Sequence, residues 1–320
     1  MGNLKVALFI VDPNNDFVVK QEMLKMQHPK FGAIEVPTGH EGALYVQGAE
    51  ANADNIVAMM ERLDSRLDDV FVSLDAHQEM DQAHTTWWYR LKDGATCAPF
   101  TILGRSPDGK RVIKWEVDAT GKFIPTDEEY MTFNPSFIRE GGCTGHGFLG
   151  YDEALAAKGK FKHVVWPVHC TIGSWGQSVY EPLRKALGQW AIQNKSTINW
   201  IAKGTDIFTE HYSALEAEVF DPREPAMTGV NTNIIQAAMQ YDILALSGWA
   251  LSHCLANTGD SLIRLFADPA QGGDPRFVEK LVLLEDATSN VPGFEFLGSA
   301  FIDRAVKAGM KISNTRDFLR

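Results

Sequence analysis

Continuous apolar runs rich in β-branched residues punctuate the chain at Val6 to Val11, Val70 to Leu74, Ile198 to Ala202, Ile243 to Ser247 and Leu281 to Leu284. A weaker one lies at Lys311 to Ser313. A strand with one face in water alternates apolar and polar side chains, whereas an unbroken apolar run is what a strand covered on both faces requires. Between these runs the period changes. Asn52 to Leu67 sets Ile56, Met59, Met60 and Leu63 on one helical stripe, and Ser178 to Asn194 does so with Leu183, Leu187, Trp190 and Ala191. Asn231 to Gln240, Cys254 to Phe266 and Phe294 to Ala308 continue the series. Alternating strand and helix predicts an α/β fold: a doubly wound, mainly parallel six-stranded sheet with helices on both faces.

Two stretches break the rhythm. Lys20 to Gly42 is a long irregular connection after the first strand. Tyr89 to Lys162 is longer and rich in turn signals, such as Ser106-Pro107-Asp108-Gly109 and Ala119-Thr120-Gly121. Within it, Arg111 to Val117 partly alternates, which predicts a hairpin with Lys122 to Pro125. Connections of this length are usually lids or small subdomains. No linker divides the chain, so residues 1–320 read as a single domain with insertions at about 20–42 and 89–162.

Composition narrows the function classes. At 320 residues, 45% hydrophobic and 22% charged, the chain can bury a large core, which excludes a disordered or fibrous protein. Thirty basic against forty-one acidic residues leave a net charge of −11, which repels phosphate backbones and argues against a nucleic-acid partner. Cys97, Cys143, Cys170 and Cys254 show no CxxC spacing, as expected of reduced thiols in an intracellular protein. The first apolar run is broken by Asp12, too early for a secretory leader, and the Met1-Gly2 start lacks Ser or Thr at the sixth position. No window approaches the roughly 20 apolar residues of a membrane span. A cytoplasmic protein without a membrane partner is expected.

In open α/β sheets, chemistry gathers at the carboxyl ends of the strands. Those ends carry Asp12, then Asp75-Ala76-His77 with His84 beyond, Trp166-Pro167-Val168-His169-Cys170, Lys203-Gly204, and Gly248-Trp249-Ala250-Leu251-Ser252-His253-Cys254. Each has a plain explanation as a cap, a turn former or a packed residue. Their coincidence at successive strand ends favours a site. A cysteine opening a helix after a strand is favoured as thiolate by unpaired N–H groups and the helix dipole, and a cation such as Lys203 adds to this. Asp12 suits a general base that later acts as acid, and N–H groups around Ala250 and Cys254 suit a developing oxyanion. Asp75, His77 and His169 form a mixed oxygen and nitrogen set suited to one divalent ion, zinc before manganese or iron.

Taken in order, these segments resemble the isochorismatase-like cysteine hydrolase superfamily, and most closely its nicotinamidase (pyrazinamidase) branch. Val11-Asp12-Pro13-Asn14-Asn15-Asp16-Phe17 is similar to the opening V-D-x-Q-N-D-F motif. Leu44 to Ala49 is similar to L-x-V-P-G-A, Trp166 to Cys170 to W-P-x-H-C, and Gly248 to Cys254 to the nucleophile segment. The resemblance implies a catalytic Asp12, Lys203 and Cys254, and hydrolysis of nicotinamide, with pyrazinamide as a second substrate, to the acid and ammonia. It implies a cis peptide between Trp249 and Ala250 and substrate contacts from Phe17, Trp166 and His253. It also implies a metal on Asp75, His77 and His169 that takes the ring nitrogen, with His84 as a fourth ligand or a neighbour of the other three. Pro13, Trp249, Leu251 and Ser252 depart from the motif residues, and Trp249 and Ser252 are expected to reshape the pocket. The insertions leave room for a larger amide or carbamoyl substrate and for a homo-oligomer. A non-catalytic binding protein on the same fold is disfavoured by the retained acid, amine and thiol, and His28, His40, His146, His163 and His211 read as surface or packed residues.

Overall fold

A computed structural model describes residues 4–28, 32–118 and 120–320, so Met1, Gly2 and Ala119 of the readings above lie outside the described residues. In chain order the strands are β1 (Val6–Val11), β2 (Met23–His28), β3 (Gly32–Pro37), β4 (Asp69–Asp75), β5 (Trp88–Arg90), β6 (Thr101–Arg105) and β7 (Val112–Val117). There follow β8 (Phe123–Thr132), β9 (His163–Val165), β10 (Ile198–Lys203), β11 (Ile243–Gly248), β12 (Leu281–Leu284) and β13 (Lys311–Ser313). The helices are α1 (Asn15–Val18), α2 (Ala49–Leu63), α3 (Gly147–Ala157), α4 (Glu181–Asn194), α5 (Pro225–Thr228), α6 (Thr232–Met239), α7 (Cys254–Ala267) and α8 (Glu295–Ala308). Residues pack into two compact units. Among the described residues, one comprises those up to Asp75, Gly173–Ala202 and Thr232–Arg320, the other those in Ala76–Ile172 and Lys203–Asn231.

The first unit is built on a six-stranded sheet of order β10-β4-β1-β11-β12-β13. β1 runs parallel to both β4 and β11, and β12 runs parallel to both β11 and β13. The six apolar runs of the sequence are these six strands. Every residue of β1 is buried, those pointing up and those pointing down, as a strand covered on both faces must be. Its entry is pinned by the Asp68 carboxylate, which accepts the Val6 N–H at 2.7 Å. The register from Val6↔Ile243 to Val11↔Gly248 makes β1 and β11 end in step. α7 follows β11 and buries Leu255, Thr258, Leu262, Leu265 and Phe266. Between β1 and α2, strands β2 and β3 pair antiparallel. No helix among the described residues is long and apolar enough to cross a membrane.

The second unit has its own sheet, of order β5-β8-β7-β6-β9 and antiparallel throughout. The hairpin expected around Arg111 is β7 with β8. Its neighbours β5, β6 and β9 were not apparent from the sequence, because β5 and β9 span only three residues each. Trp87, Trp88, Leu103, Phe148, Tyr151 and Val165 lie in the core that this sheet shares with α3. One carbonyl organises part of it: Gln82 O accepts Trp88 Nε1–H and His163 Nε2–H, both at 2.8 Å. The His163 ring stands edge-on to Phe148 and Tyr151 at 5.3 and 5.7 Å. Burial among these rings pulls its pKa from 6.5 down to about 4.

Candidate active site

In the first unit the site begins where β1 stops. Asp12 is fully buried and adopts φ 49°, a left-handed conformation that aspartate tolerates better than most side chains. Its N–H donates to the carbonyl and to the hydroxyl oxygen of Ser73, both at 3.1 Å, and Ser73 Oγ–H returns a 2.7 Å bond to Asp12 Oδ1. Asn14 ties the ends of β1 and β4 together. Its amide donates to Asp75 O at 3.0 Å and accepts the Asp75 N–H at 3.1 Å. Asp75 thus closes β4 with its main chain saturated by one side chain. Phe17, on α1, is buried, and its carbonyl accepts the Val46 N–H at 2.8 Å.

Because β1 and β11 are parallel and end together, the chain leaving β11 starts from the same sheet edge as Asp12. Trp249 N–H donates to Val11 O at 2.9 Å. Only glycine fits before it: Gly248 has φ 107°, and an added Cβ would stand 2.0 Å from Val11 O. The Trp249–Ala250 peptide bond is cis. Ala250 O accepts the N–H groups of His253 and Leu255, both at 3.0 Å, and this turn delivers Cys254 to the first position of α7. Cys254 is buried.

Two of the residues that depart from the compared motif, Trp249 and Ser252, have defined partners. Trp249 is fully buried and its indole N–H donates to Asn52 Oδ1 at 3.4 Å, so its extra bulk is spent on packing within the first unit. Ser252 Oγ accepts the Val291 N–H at 3.0 Å and pairs with His253 Nδ1 at 2.9 Å. The His253 ring meets Phe294 edge-on at 5.0 Å, and burial lowers its pKa to about 3, which keeps it neutral at ordinary pH.

The second unit holds the histidines. His77, His84 and His169 are buried, with ring centroids 4.8 to 5.0 Å apart and one ligand atom from each lying within 4.8 Å of the others. The main chain places them. His77 N–H donates to Cys170 O and Ile172 N–H to His77 O, both at 3.0 Å, while Trp166 N–H donates to Ala83 O at 2.7 Å and Thr85 N–H to Trp166 O at 3.1 Å. Two short bridges thus clamp the segment ending at Ile172 against both earlier histidines. Pro167 O lies 2.9 Å from His169 Nδ1 and Asp81 Oδ2 lies 3.0 Å from His77 Nδ1. Both oxygens only accept, so both Nδ1 atoms donate and each ring carries its lone pair on Nε2. A buried set of three imidazoles within ligand distance of one another fits a borderline divalent ion such as zinc. His84 belongs to this group as fully as His77 and His169.

Lys203 ends β10 and belongs to the second unit, where its carbonyl accepts the Ala76 N–H at 2.9 Å and its side chain is buried. Trp166 donates its indole N–H to Tyr212 OH at 3.1 Å and meets Phe100 edge-on at 5.8 Å. Asp12, Phe17, Asp75, Trp249, Ala250, His253 and Cys254 therefore lie in the first unit, and His77, His84, Trp166, His169 and Lys203 in the second. No disulfide joins the four cysteines, and burial raises Cys97 to about 11 and Cys143 to about 12. Sequence reasoning passed over Ser73 and Asp81. The signal for Ser73 was a lone hydroxyl inside an apolar strand; that for Asp81 was a carboxylate four residues after one histidine and three before another.

No family model and no curated protein sequence matches the chain. Among solved structures it is similar to the yeast nicotinamidase Pnc1p bound to nicotinaldehyde, at 16% identity and a TM-score of 0.54, over 97% of this chain and 99% of that one. It is also similar to an Acinetobacter baumanii nicotinamidase/pyrazinamidase, at 17% identity and a TM-score of 0.53, over 100% of both chains. A third, PnC1 from L. infantum in complex with nicotinate, gives 17% identity and a TM-score of 0.50, over 99% of this chain and 96% of that one. At these identities the likeness is one of fold: the α/β architecture expected from the strand pattern is the architecture of nicotinamidases.

Proposed function

We propose that the protein is a cysteine amidohydrolase that cleaves nicotinamide, and pyrazinamide with it, to the acid and ammonia. The observation that carries this reading is the shared exit of β1 and β11, which starts the Asp12 and Cys254 segments from one edge of a sheet whose fold is that of nicotinamidases. Asp12 accepts the Cys254 thiol proton, the sulfur adds to the amide carbon, and the N–H groups of Ala250 and Cys254 hold the oxyanion. Asp12 then returns its proton to the leaving nitrogen, ammonia departs, and water hydrolyses the thioester with Asp12 again as base. The motif resemblance gives Lys203 the part of the cation that favours a thiolate. The same resemblance gives Phe17 and Trp166 the part of ring contacts, and His253 is neutral. His77, His84 and His169, with Asp75, would hold a divalent ion that supplies a coordination point for the ring nitrogen.

The test is ammonia release from nicotinamide by the full chain and by Cys254→Ala. Turnover is expected in the first and none above background in the second. Turnover that survives in Cys254→Ala overturns the mechanism. Hydrolysis of other amides or carbamoyl compounds with nicotinamide left untouched would move the substrate to the second reading, a different amide handled by the same thiol.

A further inference from the structure

We infer that Asp81 is a positioning residue for the metal centre, setting the tautomer of one histidine and the placement of another. The inference rests on the metal-holding part of the proposed function. Asp81 Oδ2 lies 3.0 Å from His77 Nδ1, with both side chains essentially closed to solvent at 2% and 1% exposure. A carboxylate carries no proton to give, so His77 donates through Nδ1 and presents the lone pair of Nε2. A histidine held in this way is more basic and better aimed as a ligand.

The same residue acts a second time through its other atoms. Asp81 Oδ1 accepts the Ala83 N–H at 2.9 Å, and Asp81 O accepts the His84 N–H at 3.0 Å. These two bonds shape the turn that brings His84 to within 4.8 Å of His77, measured between ring centroids. One aspartate thus fixes the nitrogen that His77 offers and the point at which His84 arrives. His169 is served instead by the carbonyl of Pro167.

Asparagine separates the two duties. Asp81→Asn can still accept the Ala83 N–H through its carbonyl oxygen, so the turn survives. Its NH2 then faces His77 Nδ1 and demands a lone pair there, which moves the ring proton to Nε2 and removes that ligand.

The experiment titrates zinc into the full-length apo protein, with a chromophoric chelator in competition, for wild type, Asp81→Asn and Asp81→Glu. In parallel, 15N NMR reads the His77 tautomer without metal. Wild type should bind zinc and show His77 protonated on Nδ1. Asp81→Asn should bind zinc roughly 10- to 100-fold more weakly and show the proton on Nε2, and Asp81→Glu should recover part of the affinity. Equal zinc affinity in wild type and a folded Asp81→Asn overturns the inference and leaves the hydrolase reading intact. So does an Nε2-protonated His77 in wild type, a readout that does not depend on the variant folding. A wild-type chain that takes up no zinc, manganese or iron removes the metal centre and the role of Asp81 with it, while dependence of turnover on Cys254 is judged separately.

Discussion

Ser73 Oγ donates a 2.7 Å hydrogen bond to Asp12 Oδ1, and both side chains are fully buried between β4 and the end of β1. The acid proposed as general base is therefore aimed by a hydroxyl from the neighbouring strand. A hydrogen bond to a charged group contributes about 1.5–3 kcal/mol. Ser73→Ala should lower kcat/KM for nicotinamide by roughly ten- to hundredfold, because the carboxylate loses a bond that fixes its orientation. Steady-state kinetics with far-UV circular dichroism as a folding control reads this. An unchanged kcat/KM would show that Asp12 is held by its main chain alone.

Gly248 is where β11 ends and the segment leading to Cys254 begins. Any Cβ there meets Val11 O at 2.0 Å while demanding φ near 107° of a residue that avoids it. The neighbour is main chain in a fully buried strand and has nowhere to retreat. Gly248→Ala should cost on the order of 3 kcal/mol or more in urea unfolding. A loss below about 1 kcal/mol would mean that the β1–β11 pairing yields more readily than its register implies.

The sheet of the first unit was legible because its strands are buried on both faces. A run such as Val6 to Val11 can do little else, and its carboxyl end announces where chemistry would stand. The second unit was far less legible. β7 and β8 alternate and are joined by a turn, whereas β9, at three residues, has too few positions to establish a period and merges into Trp166-Pro167. Asp12, Cys254 and the histidines could be picked out as candidates because an acid, a thiol and imidazoles coincide at successive strand ends. Ser73 and Asp81 could not, since a hydroxyl or a carboxylate acquires a role only from the partner that folding brings to it. Trp249 taught the opposite lesson. Its bulk pointed to the pocket in the sequence, yet Asn52, almost two hundred positions away, draws its indole into the packing of the first unit.

His84 shares ring contacts of 4.8 and 5.0 Å with His77 and His169, and its Nε2 lies 3.2 Å from His169 Nδ1. It should therefore matter to metal binding as much as they do. His84→Ala and His169→Ala are expected to weaken zinc binding to a similar degree, measured as metal content after dialysis against a chelator. In wild type, zinc at a hundred times its Kd should stabilise the fold by about 2.7 kcal/mol, and a chelator should remove that increment. A His84→Ala protein that keeps its full metal content would return this residue to a supporting place.

His163 provides a pH dependence unconnected with the hydrolytic residues. Its ring is buried among Phe148, Tyr151 and Trp88, and its pKa falls from 6.5 to about 4. The folded state refuses a proton that the unfolded chain takes up. The stability tied to this ring is therefore intact above pH 6.5, declines as the pH falls from 6.5 towards 4, and levels off below that. At pH 5 the loss amounts to ~2 kcal/mol. His163→Phe keeps the aromatic packing and gives up the Nε2–H bond to Gln82 O, a carbonyl that Trp88 Nε1–H still satisfies. At pH 7.5 the variant should be weaker than wild type by about 1 kcal/mol. At pH 5 the order should reverse, because only wild type has lost the proton-linked increment. Urea unfolding of both proteins at the two pH values reads the crossing, and parallel losses in the two proteins would mean that the ring is protonated within the folded core.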